Sequence, residues 1–249
     1  MNSQESTVVV TGGCSGLGAA TVAHFQSRGV NVASIDLAEP PSGSEGTLYL
    51  KGDVTSGDSV TSCFDQVMDR FAGIHVLVNC AGILGASRIV TRDGPHDLDL
   101  FKRVIEVNLI GTFNTLRLAA ERMSANEPND DGERGVIINT SSVSAYEGQI
   151  GQAAYSASKG GVSGMMLPIA RDLARHGIRV VAIAPGVFRT PMMEAAPEAV
   201  VESLESQAVF PPRLGDPKEF ALCVEQIVAN PMYNGSTIRL DGAMRMQAR

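Results

Sequence analysis

Short β-branched runs alternate along this chain with longer stretches of helical periodicity. TVVVT (7–11), VNVASID (30–36), TLYLKGDV (47–54) and HVLVN (75–79) come first; GVIINTS (135–141), IRVVAIAPG (178–186) and STIRLDG (236–242) follow. Most of these runs are apolar almost throughout, as in strands covered on both faces. Stretches such as AATVAHFQSRG between them carry helical spacing. Parallel neighbours need a right-handed crossover, and a helix supplies it. The pattern therefore predicts a parallel sheet of about seven strands with helices on both faces.

The economical architecture is one α/β domain over residues 1–249, doubly wound and Rossmann-like. No internal repeat or linker divides the chain. AEPPSGSEG (38–46) and NEPNDDGERG (126–135) read as surface loops. The longest irregular segment follows Pro185 and Gly186, beyond the end of a strand, and is expected to form a substrate lid over about 187–213.

Composition narrows the picture. With 249 residues, 44% of them hydrophobic but only 5% aromatic and no Trp, the interior must be built from Val, Ile, Leu, Ala and Met. A net charge of −7 without any basic stripe argues against a nucleic-acid partner. Cys14, Cys63, Cys80 and Cys223 form no CxxC pair, so neither a zinc site nor a disulfide framework is expected; free thiols suit a reducing cytoplasm. MNSQES leads straight into the first strand, which leaves no room for a targeting segment, and no apolar run is long enough to span a bilayer. A cytoplasmic protein without a membrane partner is the resulting expectation.

The first strand runs into Thr11-Gly12-Gly13-Cys14-Ser15-Gly16-Leu17-Gly18 and then a helix. Glycines there let backbone N–H groups and a helix N-terminus approach an anion closely, a cradle for a phosphate. The spacing is G-x-x-x-G-x-G and no Lys follows as a P-loop requires, which disfavours ATP or GTP. Asp36 closes the second strand, where a carboxylate accepts hydrogen bonds from the hydroxyls of an adenosine ribose and repels a phosphate. No Lys or Arg occupies Cys14, Ser15 or Leu37 to neutralise a 2′-phosphate, so NAD is expected rather than NADP.

Tyr155 and Lys159 stand one helical turn apart at the start of a long helical pattern. A unit charge about 4 Å from a phenol, at an effective dielectric of about 20, is worth on the order of 4 kcal/mol, or roughly three pKa units. That would poise Tyr155 as a base near neutrality. Ser142 follows the GVIINTS strand at the sheet's carboxyl edge, where its hydroxyl can hold a substrate oxygen. Gln149 and Gln152, between Ser142 and Tyr155, are further candidate substrate contacts. Ser156-x-x-Lys159 also matches an acyl-transfer signature, but its S-D-N and K-T-G companions are missing.

Taken together, T-G-x-x-x-G-x-G, Ser142 and Tyr155-x-x-x-Lys159 resemble the short-chain dehydrogenase/reductase family over essentially the whole chain. The resemblance implies a dinucleotide-dependent oxidoreductase in which Tyr155 removes the hydroxyl proton and Ser142 stabilises the oxygen. Lys159 and Asn108 then relay the proton. It also implies that Gly12, Ser15, Gly16, Leu17, Gly18, Asp36, Asp53 and Val54 bind the adenosine half of NAD. Asn79, Ala81 and Gly82 would support the coenzyme after the fourth strand. Pro185, Gly186, Val187, Phe188 and Thr190 would hold the nicotinamide, and Tyr155 and Lys159 its ribose.

GVIINTSSV, EGQIGQAAYSASKGG, LPIARDLARHGIRV, IAPGVFRTP, RLGDP and IRLDGAMRM are most similar to the branch of type II 3-hydroxyacyl-CoA (type 10 hydroxysteroid) dehydrogenases. That likeness implies an acyl-CoA substrate oxidised at a secondary alcohol, with tolerance for steroid alcohols. Gly160, Gly161, Gly164 and Pro168 weaken a helix predicted over 153–175. In the resembling family this helix meets another subunit, which implies a homotetramer. The remaining alternatives are a dehydrogenase for another small secondary alcohol and a non-catalytic NAD(H) redox sensor.

Overall fold

A computed structural model describes residues 6–41, 46–194, 198–205 and 207–248. Its centre is a seven-stranded parallel sheet in the order β3-β2-β1-β4-β7-β8-β9. The strands are β1 (Thr7–Thr11), β2 (Asn31–Asp36), β3 (Thr47–Lys51), β4 (Val76–Asn79), β7 (Gly135–Thr140), β8 (Ile178–Pro185) and β9 (Thr237–Leu240). All seven expected runs are strands. The doubly wound, Rossmann-like architecture read from the apolar pattern is thus the observed one, although most runs are a residue or more shorter than expected. TLYLKGDV loses its last three residues because the Asp53 carboxylate turns back to accept from the Thr55 N–H and hydroxyl, at 2.9 and 2.7 Å.

The period-two alternation of each strand divides the core between the two faces of the sheet. Val9, Leu77 and Ile137 point to one side, where α2 (Gly57–Phe71), α4 (Gly111–Met123) and α6 (Ala153–Leu173) cover them with Phe64, Val67, Met123 and Met166. Val8, Val10, Val76, Val78, Val136 and Ile138 point to the other side, beneath α1 (Gly16–Gln26) and α9 (Pro217–Ala229). Both faces are dry, which explains why these strands contain few polar residues. The strand order reverses between β1 and β4, and at such a switch point the loops beyond the carboxyl ends diverge to leave a crevice.

Three features depart from the expected pattern. A small hairpin, β5 (Val90–Thr91) and β6 (Gly94–Pro95), turns at Arg92-Asp93 and precedes α3 (Leu98–Ile105). The segment beyond β8 is only partly irregular, since it includes α7 (Pro191–Glu194) and α8 (Glu198–Glu205). Residues 195–197 and 206 of the expected lid, like 42–45 of the first loop, lie outside the described residues. The long helix stops at Leu173 and passes through a 3-10 turn to Gly177 at φ +67°. Within it, Gly161 packs on Leu109 of its own chain, and a Cβ on Gly164 would meet no atom within 4 Å.

Candidate active site

The glycine loop sits in the crevice and is pinched on several sides. A Cβ on Gly12 would stand 2.7 Å from the Ala81 nitrogen, and one on Gly18 would stand 2.1 Å from the Gly12 carbonyl oxygen. A Cβ on Gly16, at φ +52°, would stand 3.4 Å from the Thr190 methyl in the segment after β8. Ser15 is the N-cap of α1 but makes no side-chain cap, and the first turn, through Leu17, contains no acid. A helix start of this kind, approached through glycines, fits an anionic phosphate group.

Asp36 closes β2 beside this loop. Its carboxylate accepts the Cys14 N–H at 2.9 Å and the Ala38 N–H at 3.0 Å, so it is fixed against the loop. Leu37 next to it is exposed. Asp53 has one carboxylate oxygen engaged by Thr55, while the Val54 side chain is buried against Gly111 and its carbonyl accepts from Asn114 at 2.8 Å. An adenosine ribose reader at Asp36 is compatible with this geometry.

Asn79 is a clamp within the sheet. Its side-chain oxygen accepts from the Thr11 and Thr115 hydroxyls at 3.2 and 2.8 Å, and its amide donates to Asn139 at 2.9 Å. The adjacent Ala81 N–H donates to the Thr11 hydroxyl at 3.3 Å. Asn79 therefore supports the loop with its side chain turned into the protein. Gly82 leaves open a space that a Cβ would fill, 3.1 Å from the Asn108 side-chain oxygen and 3.6 Å from Lys159 Nζ.

Asn108 and Lys159 border this space, and Tyr155, on the same helix as Lys159, stands beside Ser142. Asn108 is fully buried within a π-helical turn, Glu106–Ile110, between α3 and α4. Its side chain bonds both the N–H and the carbonyl of Ile83 at 2.8 Å, and its amide also donates to Ser158 at 3.1 Å. Ser158 in turn donates to the Tyr155 carbonyl at 2.7 Å, so Asn108 helps to fix the first turn of α6. Lys159 is buried, and its ammonium donates to the Thr140 carbonyl, the last residue of β7, at 2.7 Å. The same ammonium lies 5.8 Å from the centroid of the Tyr155 ring. Ser142 follows β7, and its hydroxyl accepts the Ser144 N–H at 3.1 Å.

The electrostatics correct one expectation. Burial pushes the half-buried Tyr155 phenol above its ordinary value, opposed by the Ser142 hydroxyl beside it. It is not poised near neutrality: burial penalises a phenolate by more than the Ser142 hydroxyl beside it offsets. Desolvation also pulls Lys159 down to about 8, with the Cys80 side chain partly opposing it. The Cys80 thiol is pushed up to about 11 by the same burial.

The remaining expected residues border the crevice in different ways. Pro185 ends β8, and its carbonyl accepts the Val143 N–H at 3.0 Å, tying β8 to the stretch that carries Ser142. Gly186 bonds the Leu240 carbonyl at 2.9 Å, Val187 accepts from Gly215 at 3.0 Å, and Phe188 is buried against Gly215. Gln152 turns its side-chain oxygen onto the Gln149 N–H at 3.0 Å, while the Gln149 amide donates to the Gln247 carbonyl at 3.1 Å. Both amides thus serve the turn and the C-terminal tail. Sequence reasoning missed the Thr140 carbonyl, Ser158 and the Ser141–Ser163 pair at 2.7 Å, with Ser141 also bonding the Lys159 carbonyl. A backbone acceptor and generic serines give no residue-type signal.

Known proteins resemble the chain over most or all of its length. The family model described as short chain dehydrogenase matches residues 6–200. The chain is 51% identical to the Homo sapiens 3-hydroxyacyl-CoA dehydrogenase type-2, covering 96% of this chain and 95% of that one. Identity to the Drosophila melanogaster protein of the same name is 48%, with 96% of each chain covered. Among solved structures, the Mycobacterium avium 3-hydroxyacyl-CoA dehydrogenase type-2 superposes over 100% of both chains with a TM-score of 0.93 at 38% identity.

Proposed function

The chain belongs to the short-chain dehydrogenase family, and from that premise we propose that it is an NAD-dependent dehydrogenase interconverting a 3-hydroxyacyl-CoA and its 3-keto form. The observation that carries this reading is the convergence of Ser142, Tyr155 and Lys159 on the carboxyl edge of β7, next to the glycine loop. The acyl-CoA substrate is supported by the named relatives at about half identity. Steroid alcohols are expected as secondary substrates.

NAD is supported by Asp36, held beside the loop by two backbone N–H groups with no basic side chain at positions 14, 15 or 37. Gly12, Gly16 and Gly18 with the start of α1 would hold its pyrophosphate, Asp36 its adenosine ribose, and Thr190, Val187 and Lys159 the nicotinamide half. When bound, NAD supplies the two-electron acceptor or donor for the substrate carbon. The lid is assigned to about 187–213. A homotetramer is proposed from the weak, partly open α6, whose Leu167 is about half exposed. A cytoplasmic location suits the free thiols. Among the described residues no helix is long and apolar enough to cross a membrane.

The protein's own groups divide the proton chemistry. Ser142 donates to the substrate oxygen and fixes it beside Tyr155. The neutral phenol is set up as a proton donor to a ketone oxygen, and in the oxidation direction it must first lose its proton. The cationic Lys159 stabilises the phenolate left after donation, and its anchor on Thr140 keeps it there. A redox sensor would need none of this proton machinery, which favours catalysis.

Incubating the protein with NADH and acetoacetyl-CoA tests the reading. Turnover is expected, with Tyr155→Phe slower by about 10²- to 10⁴-fold and NADH affinity preserved. Tight NADH binding without turnover on any of a broad ketone panel would point to the sensor instead. Asp36→Arg exchanges repulsion for charge-assisted bonds of about 1.5–3 kcal/mol and should shift preference toward NADP by roughly ten- to hundredfold; an unchanged NADP/NAD ratio of kcat/KM would assign the ribose to another group. The pH profile of ketone reduction follows from Lys159. Its folded value lies below the ordinary one, so the cation is present at neutral pH and lost as pH rises through about 8. Reduction should therefore hold level below that pH and fall above it, and a rate flat to about pH 9.5 would remove Lys159's charge from the mechanism.

A further inference from the structure

Glu147 lies between Ser142 and Tyr155, on a stretch of short turns that is tied to the end of β8 through the Val143 N–H. It ends α5 (Ser144–Glu147), a single turn whose N-cap, Val143, makes no side-chain bond; the N-cap of α6, Gln152, makes none to its helix either. A second set of ties comes from the C-terminal end of the chain. The Glu147 carboxylate pairs with Arg239 of β9 at 3.0 Å and with Arg245 at 3.4 Å, and it accepts the Met246 N–H at 3.2 Å. Asp241 holds the same two guanidiniums at 2.7 and 3.2 Å. Past this quartet, the Ile150 N–H donates to the Ala248 carbonyl at 3.0 Å and the Gln149 amide donates to the Gln247 carbonyl at 3.1 Å.

The same tail also holds the lid segment. The Gln247 N–H donates to the Gln207 side chain at 3.3 Å, and the Phe210 N–H donates to the Gly242 carbonyl at 3.3 Å. Residues 242–248 thus form a strap tied on one side to the Ser142–Tyr155 stretch and on the other to the lid. Large, largely exposed apolar side chains stand on both: Tyr146 and Ile150 on the first, Val209 and Phe210 on the second. We infer that Glu147 is a positioning residue for the reaction, and that through it the strap 242–248 sets the catalytic stretch and the lid as one unit for an acyl substrate. The inference rests on the dehydrogenase reading above, and the ion-pair quartet is its mechanical link.

Two changes test it in the full-length enzyme. Glu147→Gln keeps the shape and removes the charge; ending the chain at Met246 keeps the quartet and removes the outer ties. The substitution should raise KM for acetoacetyl-CoA about tenfold while NADH affinity stays within about twofold, and Glu147→Asp should recover part of the loss. The truncation should speed amide hydrogen exchange at 149–152 and at 207–210 together. Faster exchange on one side alone would break the strap, and an unmoved KM in a folded Glu147→Gln protein would remove Glu147 from positioning. If the wild type fails to reduce acetoacetyl-CoA, the proposed substrate falls, while the exchange measurement still decides the strap.

Discussion

The buried ammonium of Lys159, anchored on the Thr140 carbonyl at the end of β7, is the constraint on which the site depends. A cation out of water needs a fixed acceptor, and a strand-end carbonyl supplies one that cannot drift. The anchor sets the height of α6 against the sheet and with it the position of Tyr155, one turn earlier. Asn108 acts on the same turn from the other side through Ser158. The first turn of α6, which carries Tyr155, is therefore held from both sides.

That arrangement is possible because β1, β4 and β7 are apolar through their middles and turn polar at their carboxyl ends. Val, Ile and Leu fill β1, β4 and β7 until the final residues, where Thr11, Asn79, Asn139 and Thr140 take over. The Thr11–Asn79–Asn139 chain crosses three strands and satisfies the polar groups that the crevice brings into the interior. Glycines at 12, 18 and 82 leave the room beside it. Rigid sheet, polar edge and vacant Cβ positions are the supports that make a preorganised site.

The fold was legible in the sequence because two-sided burial writes itself as continuous apolar runs, and the glycine loop because only glycine tolerates those approaches. Tyr155, Lys159 and Ser142 were legible as a spacing pattern. What the spacing concealed was the environment. The pairing of Tyr155 with Lys159 appeared to lower the phenol, but burial reverses the sign, and burial depends on residues far away in sequence. The π-helical turn at Asn108 and the pairing of Glu147 with Arg239 and Arg245 were hidden for the same reason: they join segments that carry no common motif.

The central claim is that Tyr155 rests as a neutral phenol beside a buried cation. Carbon-13 NMR of the enzyme labelled at the tyrosine ring carbon that bears oxygen reads this directly, with Tyr155→Phe identifying its signal among the four tyrosines. The account predicts that this resonance keeps its phenol position through about pH 10, the ordinary tyrosine value. Conversion to the phenolate position with a midpoint near neutrality would contradict it.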